Sequence, residues 1–311
     1  MAKKITIKKG QLGLVAKAGD YYRVLEAGEH RLGWFNTDDV LVVSQDGSEV
    51  PDALADYLRR FQPDWVVRYC LAVDLTADEI GVLSNNGVLQ EIVPPSTRRL
   101  YWQQDAALTL QRIDTRDVRV PVDVMNAALQ PRRNGALKGR DAMLVVQVPA
   151  WHVGVVKIDG EIQALLPPGL TAYWKINHLV EAEIVDTRLQ VVEVSGQEIL
   201  TKDKVNLRLN LAANWRYSDV LQACGQLTKP LEHLYRELQF ALREAVGTRT
   251  LDELLEDKQI IDEVVSKQVQ GRLSSFGMEI ASLGVKDIVL PGDMKTILSR
   301  LVEAEKSAQA N

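Results

Sequence analysis

The stretch Val205-Asn-Leu-Arg-Leu-Asn-Leu-Ala-Ala-Asn-Trp-Arg-Tyr217 decides the fold of the second half of this chain. Apolar residues alternate along it with mainly polar ones, which is the two-residue period of a β-strand with one face in a core. Residues 189–194 show a similar alternation, and residues 197–205 form the turn between the two segments. We therefore predict an antiparallel pair of strands whose inward face carries Leu207, Leu209 and Leu211.

Beyond Pro230 the apolar period changes to three or four residues, which is the period of an amphipathic helix. The repeating residues are Leu231, Leu234, Leu238, Leu242 and Ala245. Gly247 ends this helix, and Thr250 with Glu253 forms a capping box that starts a second one. A third helix over residues 260–273, a strand over 280–290 and a last helix opened by Pro291 follow. This order of elements predicts an α+β fold.

The first half of the chain repeats one strand–turn–strand unit, with copies beginning at Gln11, Glu79 and His152. The first two copies align without a gap, because Gly13 and Gly81 lie 68 residues apart, as do Trp34 and Trp102. The second and third copies share a longer span, since 72 residues separate Trp102 from Trp174 and Asp114-Thr-Arg116 from Asp186-Thr-Arg188. We predict three tandem antiparallel β modules, with three unrelated hairpins as the alternative.

Each copy contains a signal for a tight hairpin turn between its two strands. The turn residues are Gly19, Asn86-Gly87 and Asp159-Gly160. Glycine adopts positive φ at no steric cost, and asparagine or aspartate before it suits the primed turns that match strand twist.

Two less regular stretches separate the copies. Residues 50–61 have apolar residues at helical spacing and predict a short linking helix. Residues 126–141 contain Pro131, Gly135 and Gly139 and predict a basic loop with a hinge. The predicted domains are 1–64 for the first β module and 65–141 for the second module with its linker. They continue with 142–291 for a domain that includes the third module and 292–311 for a C-terminal oligomerisation helix.

Several motifs of the second half carry a family resemblance. They include Glu198-Ile-Leu-Thr-Lys-Asp203, Leu242-Arg-Glu-Ala-Val-Gly247 and Val285-Lys-Asp-Ile-Val-Leu-Pro291. With the order of elements, these motifs make residues 144–306 resemble the SPFH or Band 7 superfamily of stomatins, prohibitins and flotillins, and within it the slipin or stomatin-like branch. The preceding β modules are similar in architecture to the repeats of the major vault protein.

The resemblance implies an SPFH domain of sheet and packed helices that acts as a non-enzymatic scaffold. Relatives of this kind form large homo-oligomers through a helical, coiled-coil tail and organise membrane microdomains. For this chain the resemblance implies a ring, wall or cage of many copies, without a cofactor. The alternative is a regulatory module that docks a membrane protease, a channel or an NfeD-like partner.

Composition sets limits on partners and location. A net charge of −5 gives the chain no general attraction for nucleic acid. Cys70 and Cys224 are too few for a disulfide framework, which favours a reducing cytoplasm. No window approaches 18 consecutive apolar residues, so we predict no transmembrane helix. The expected location is therefore either free in the cytoplasm or peripheral on the inner face of the membrane.

The sequence contains no pattern typical of catalysis or of metal binding. The four histidines have no ligand spacing, and there is no Gly-x-Ser-x-Gly or phosphate-binding motif. We therefore predict no catalytic, cofactor-binding or metal residues. The tryptophans are interpreted as core, with a membrane-interface role for Trp151 as the alternative.

Two candidate surfaces remain for binding. The predicted oligomer interface consists of Arg236, Arg243, Glu253, Glu256, Asp257, Met294, Ile297, Leu298, Leu301 and Val302. Its charges suit complementary helix faces on neighbouring subunits, whereas the alternative is an ordinary solvated face. The last helix either packs on a neighbour or caps its own core. The predicted contact with an anionic surface consists of Arg132, Arg133, Lys138 and Arg140.

Overall fold

The computed structural model describes residues 3–33, 38–133, 135–257 and 259–310, without the side chains of residues 293–298. Trp34 therefore lies outside the described residues. The chain forms two compact units. The first comprises Met1–Val146 and Leu170–Val180, and the second comprises Gln147–Gly169 and Glu181–Asn311. The four-domain division made from the sequence stays a prediction.

The first module is built from five strands. They are β1 (Lys3–Ile7), β2 (Gln11–Lys17), β3 (Asp20–Leu25), β4 (Gly28–Leu32) and β5 (Asp39–Ser44). β1 pairs with β4, while β2 lies between β3 and β5 in a three-stranded antiparallel sheet. Ile7, Val15 and Leu25 are buried together between these sheets.

The same order of strands recurs twice. After β6 (Asp46–Glu49), the second copy is β7 (Cys70–Asp74), β8 (Glu79–Asn85), β9 (Val88–Val93), β10 (Arg98–Gln103) and β11 (Leu108–Asp114). The third copy is β12 (Met143–Val148), β13 (His152–Ile158), β14 (Glu161–Leu166), β15 (Gly169–Trp174) and β16 (Val180–Asp186). In each copy the first strand pairs with the fourth, and the second lies between the third and the fifth. The three copies therefore share one strand order, as the sequence repeat predicts, and each copy has three more strands than the two of the predicted unit.

The repeat extends to the details of each hairpin. The turn residues adopt two successive positive φ values, 50° and 79° at Asn86 and Gly87 and 52° and 86° at Asp159 and Gly160. Each hairpin also has one register shift before its turn, and the three shifts fall at Val15/Ala16, Leu83/Ser84 and Val156/Lys157. Turn type and bulge position both influence how strongly a hairpin twists. Because they match among the copies, we expect the same strand twist in all three.

In each module, one position of the central strand is a glycine with no room beside it for a larger side chain. A Cβ atom added at Gly81 would lie 2.7 Å from Leu110 Cδ1, and one added at Gly13 would lie 2.9 Å from Ile7 Cδ1. At Gly154 the distance to Val148 Cγ2 would be 2.9 Å. Only glycine fits there without displacing a neighbour, because distances of this size lie inside van der Waals contact.

Helices lie between the repeated strands in sequence. α1 (Asp52–Phe61) confirms the predicted linking helix, and α2 (Pro63–Tyr69) follows it at once. α3 (Val122–Leu129) overlaps the predicted loop, so that prediction was wrong for residues 126–129. Val124, Met125 and Ala128 of α3 are buried, and this packing outweighs the absence of a capping side chain.

The C-terminal part has the predicted order of elements. They are β17 (Gln190–Leu200), β18 (Asn206–Tyr217), α4 (Val220–Gln226), α5 (Pro230–Gly247), α6 (Leu251–Glu256), α7 (Gln259–Leu273), β19 (Met278–Val289) and α8 (Gly292–Gln309). β18 is the central strand between β17 and β19. β17 is longer than predicted because a bulge between Val194 and Gln197 carries the pairing on to Leu200. The α+β class is confirmed.

One large core joins this sheet to its helices. Leu207, Leu209 and Leu211 of β18 are buried against leucines of α5 and against Ile261 and Val265 of α7. Leu231 is the exception among the predicted inward residues of α5, because its side chain is 55% exposed. It lies in the first turn of the helix and lines a surface groove instead of the core.

Candidate functional site

The outer face of α5 presents a stripe of charged and aromatic side chains. The inner face buries Leu234, Leu238 and Leu242, whereas Arg236, Phe240 and Arg243 are exposed at intervals of four and three residues. This spacing places the three exposed residues on one side of the helix. Phe240 is 51% exposed, which is unusual for a ring of this size on a helix otherwise well packed.

An acidic surface surrounds the short helix α6. Thr250 caps it by accepting a hydrogen bond from the Glu253 backbone N–H at 3.3 Å, as the predicted capping box requires. Leu251 and Leu254 are buried, and this fixes which side of α6 faces outward. The exposed acidic residues are Asp252, Glu253, Glu256 and Asp257.

Other charges of the same region bind within the chain. Arg272 of α7 lies 3.3 Å from Glu237 of α5, and Arg249 donates a hydrogen bond to the Ala245 carbonyl at 2.9 Å. Asp262 accepts a hydrogen bond from the Val285 backbone N–H at 2.8 Å and so ties α7 to β19. The exposed charges of α5 and α6 are therefore the ones best placed for another molecule.

The last helix adds an apolar surface. Leu301 and Val302 of α8 are 55% and 47% exposed. Met294, Ile297 and Leu298, which the sequence places on the same stripe, lie outside the described side chains. The helix itself is confirmed, and its role as the oligomerising element stays a prediction.

The predicted basic linker packs against the second module. The Leu137 side chain is 6% exposed, and the Ile92 backbone N–H donates to the Lys138 carbonyl at 2.9 Å. Gly139 has a φ of 84°, and a Cβ there would lie 2.0 Å from the Ile92 carbonyl oxygen. This glycine permits a close approach of two backbones, so the predicted hinge was wrong.

The four basic side chains of this linker have different surroundings. Arg132 donates to the Leu89 carbonyl, and Lys138 lies 3.8 Å from Glu91. Glu91 is 8% exposed and also pairs with Arg99 at 3.0 Å, so Lys138 lies beside a buried carboxylate although its own side chain is 72% exposed. Arg133 and Arg140 are exposed. These two are best placed to meet an anionic surface.

The Asp-Thr-Arg motif has a structural role that the sequence alone did not reveal. Thr187 donates its hydroxyl hydrogen to the Trp151 carbonyl at 2.6 Å, and Arg188 donates three hydrogen bonds to the Asp186 carboxylate, one from its backbone and two from its side chain. In the second copy, Thr115 donates to the Asp78 carbonyl at 2.9 Å, as Thr187 does to Trp151. The motif therefore ties the end of the fifth strand to the residue before the second strand.

The reactive side chains do not converge. In the part of the chain that the structure describes, no group of three or more His, Cys, Asp or Glu side chains could hold a metal ion. Burial raises the pKa of the Cys70 thiol to about 12 and also raises the pKa of Cys224. Both thiols therefore remain protonated and poorly nucleophilic near neutral pH.

The tryptophans divide between core and surface. Trp102, Trp174 and Trp215 are at most 3% exposed, which confirms the core interpretation for them. Trp151 is 69% exposed and has a φ of 65°. Among the described residues, no helix is both long and apolar enough to cross a membrane.

Sequence comparison identifies the family. The SPFH domain / Band 7 family matches residues 146–311, and this chain belongs to it. A stomatin homolog of Pyrococcus horikoshii is 30% identical over 163 residues, which is 52% of this chain and 60% of the relative. Stomatin-3 of Caenorhabditis elegans is 29% identical over 180 residues, which is 54% of this chain and 67% of the relative. The chain thus spans about three fifths of the length of the archaeal relative.

Proposed function

We propose that this protein is a non-enzymatic SPFH scaffold that assembles into a large homo-oligomer on the cytoplasmic side of a membrane. The observation that carries the proposal is the presence of two complementary charged surfaces in one domain. One is the stripe of Arg236, Phe240 and Arg243 on α5, and the other is the acidic surface of α6. Membership of a family that contains stomatins supports a scaffold role.

Two different surfaces of one chain favour a head-to-tail contact. If α5 of one copy meets α6 of the next, the copies form a row. The first and the last copy of this row each keep one unused surface. Such a heterologous contact closes into a ring or continues as a wall. Phe240 supplies apolar area at the centre of the stripe, and the arginines beside it supply orientation and faster association.

The last helix supplies the second contact in this proposal. Its exposed Leu301 and Val302 are flanked by Arg300 and Glu303, so an apolar stripe with a charged border faces outward. An amphipathic helix of this length gains most of its stability from a partner surface. A neighbouring subunit is the partner that we propose for it.

Peripheral contact with lipid fits the basic linker. Arg133 and Arg140 are exposed, and each basic side chain near an anionic bilayer contributes roughly 1 kcal/mol to binding. We expect Arg133→Gln/Arg140→Gln to weaken cosedimentation with phosphatidylserine vesicles. The matched double variant Arg23→Gln/Arg31→Gln removes the same charge elsewhere in the chain and should bind as the wild type does.

A charge-swap experiment tests the α5–α6 contact. Arg236→Glu/Arg243→Glu should weaken self-association by roughly tenfold or more, and Glu253→Arg/Glu256→Arg should do the same. The chain that carries all four changes should assemble again, because both surfaces are then reversed together. Particle mass by mass photometry reports the result. A quadruple variant that stays as small as the two double variants would contradict the contact.

A docking module is the second candidate, and one feature favours it. Gln190, Val191, Trp215, Leu231 and Tyr235 line an apolar groove of about 360 Å³ in the C-terminal domain. Val191 and Leu231 are 65% and 55% exposed there. A groove of this kind suits a helix or side chain of a membrane protease, a channel or an NfeD-like protein. A particle mass that stays near 34.7 kDa at all concentrations would favour this function over the scaffold.

A further inference from the structure

The three β modules allow a comparison of strands that hold the same position. β5, β11 and β16 are each the fifth strand of a module, and each lies at the edge of its three-stranded sheet. An edge strand has unpaired backbone N–H and C=O groups, which attract the strand of another molecule. Proteins protect such edges with charged side chains, bulges or short strands.

Two of these edge strands are protected by charge. In β11, Arg112 pairs with Gly81 and Gln111 pairs with Val82, and both side chains are exposed. β16 carries exposed Glu181 and Glu183. Another strand that approached either edge would have to desolvate these groups.

The first module lacks this protection. In β5, the residue that pairs with Gly13 is Val42, and the residue that pairs with Leu14 is Leu41. Their side chains are 47% and 41% exposed. Val40 and Val43 complete a run of four apolar residues between Asp39 and Ser44. Among the described residues, β5 ends the sheet, and an edge strand of this composition is suited to β-sheet extension.

The other edge of the same sheet is less suited to pairing. The register shift between Val15 and Ala16 leaves Tyr22 of β3 as a bulge residue, and Arg23 beside it is exposed. A bulge turns an edge strand away from a flat partner. β5 is therefore the edge of this three-stranded sheet that is better suited to accept a strand.

We infer that β5 pairs in antiparallel orientation with β5 of a second copy of this chain. Side chains that face each other across an antiparallel pair must lie on the same side of the sheet. With Val42 at the two-fold axis, Val42 meets Val42 of the second copy, and Leu41 meets Val43. Asp39 of one copy then lies at the opposite end from Asp39 of the other, so no like charges meet.

This contact is distinct from the head-to-tail contact of α5 and α6. It is isologous and closes at two copies, so it joins chains or assemblies in pairs. It does not depend on the proposed scaffold function, because the first module supplies all of its residues. The antiparallel pair also brings the two Val42 Cα atoms within about 4.5–5.5 Å, which a disulfide can span.

Disulfide trapping tests the pairing directly. Val42→Cys in a Cys224→Ala background should give a covalent dimer on a non-reducing denaturing gel after mild oxidation. Gln111→Cys in the same background is the matched control, because it places a cysteine on the edge strand that Arg112 protects. We expect at least tenfold more dimer from Val42→Cys. Equal dimer yields from the two variants would overturn the inference.

A second variant tests the inference without a new thiol. Leu41→Gln/Val42→Arg gives β5 the residues Gln111 and Arg112 that stand exposed at the equivalent positions of β11. Particle mass should fall by half, with an unchanged circular dichroism spectrum. An unchanged mass with a native spectrum would overturn the pairing. Failure of the α5–α6 charge swap would leave both of these readouts unaffected, so the two proposals can fail separately.

Discussion

The β modules and the C-terminal domain cover their sheets in two different ways. In the first module, the β1–β4 sheet lies close to the β3–β2–β5 sheet, and Gly13 leaves the room for this approach, while Gly81 leaves room for Leu110 in the second module. In the C-terminal domain, α5 and α7 cover one face of the β17–β18–β19 sheet with a thick apolar layer. The modules should therefore be sensitive to added volume, whereas the C-terminal domain should be sensitive to polarity. Helices also leave an outer face free for other contacts, and a thin sandwich of strands offers mainly its edges.

The largest expected effect comes from a charge in the helix-covered core. Leu207 is 1% exposed, and Leu207→Asp places an unpaired carboxylate among leucines. We expect a loss of roughly 4 kcal/mol of unfolding free energy, or an unfolded C-terminal domain. The neighbouring Arg208 faces outward, 4.0 Å from Glu198, so Arg208→Ala should cost about 0.5 kcal/mol or less. Chemical denaturation measures both, and similar midpoints for the two variants would show that the strand faces are assigned wrongly.

Two glycine-to-alanine variants extend the comparison. The free energy of unfolding should fall for the variant in the second module and rise for the variant in the C-terminal domain. Gly81→Ala adds a Cβ 2.7 Å from Leu110 in the second module and should destabilise it by about 1–3 kcal/mol. Gly271 lies in α7 with no atom within 4 Å of an added Cβ. Gly271→Ala should therefore stabilise the helix by about 0.5–1 kcal/mol. Thermal unfolding of the two variants checks the prediction, and a shift in the same direction for both would contradict it.

The smallest expected effect concerns the Asp-Thr-Arg motif of the second module. Hydrogen bonds from Arg116 lower the pKa of Asp114 to about 2 from an ordinary value of 3.8. A lowered pKa means that the folded state favours the ionised carboxylate. The stability that this carboxylate adds to the folded state is therefore complete above pH 3.8 and is lost as the pH falls to about 2. The stability difference between wild type and Asp114→Asn should be small and constant from pH 7 to 5, and it should vanish near pH 2. A stability difference between the two proteins that grows on acidification would contradict the pairing of Asp114 with Arg116.

Much of the fold could be predicted from local patterns. The alternation in residues 205–217 fixed the central strand, and Thr250 with Glu253 located the start of α6 because a capping box satisfies a specific backbone donor. The turns at Asn86-Gly87 and Asp159-Gly160 identified two hairpins, since few other residue pairs adopt two positive φ values. These features depend on residues close together in sequence.

The parts that could not be predicted depend on contacts between distant residues. α3 has no strong helix signal, and it forms because Val124, Met125 and Ala128 fill a core that other segments complete. Gly139 looked like a hinge residue, yet it lies against the Ile92 backbone, which is 47 positions earlier in the chain. The exposed Phe240 was overlooked, although the helical period set by Leu238 and Leu242 already places it on the outer side of α5.

The exposure of the candidate surface residues was predicted in part. Arg236, Arg243, Glu253, Glu256 and Asp257 are all exposed, as an interface requires of the isolated chain. Their position on α5 and α6 followed from helical spacing. By contrast, Arg132 of the basic linker binds within the second module through the Leu89 carbonyl, while Lys138 stays exposed beside Glu91.

The central claim is self-assembly through the C-terminal domain, and a particle mass measurement on a truncated chain tests it most directly. Residues 293–311 are deleted, and mass photometry and circular dichroism are compared with those of the full chain. We expect the full chain to form particles many times 34.7 kDa, and the truncated chain to be folded and to form smaller particles. A truncated chain that keeps the full particle mass would move the interface away from α8, and a full chain that stays near 34.7 kDa would contradict self-assembly itself.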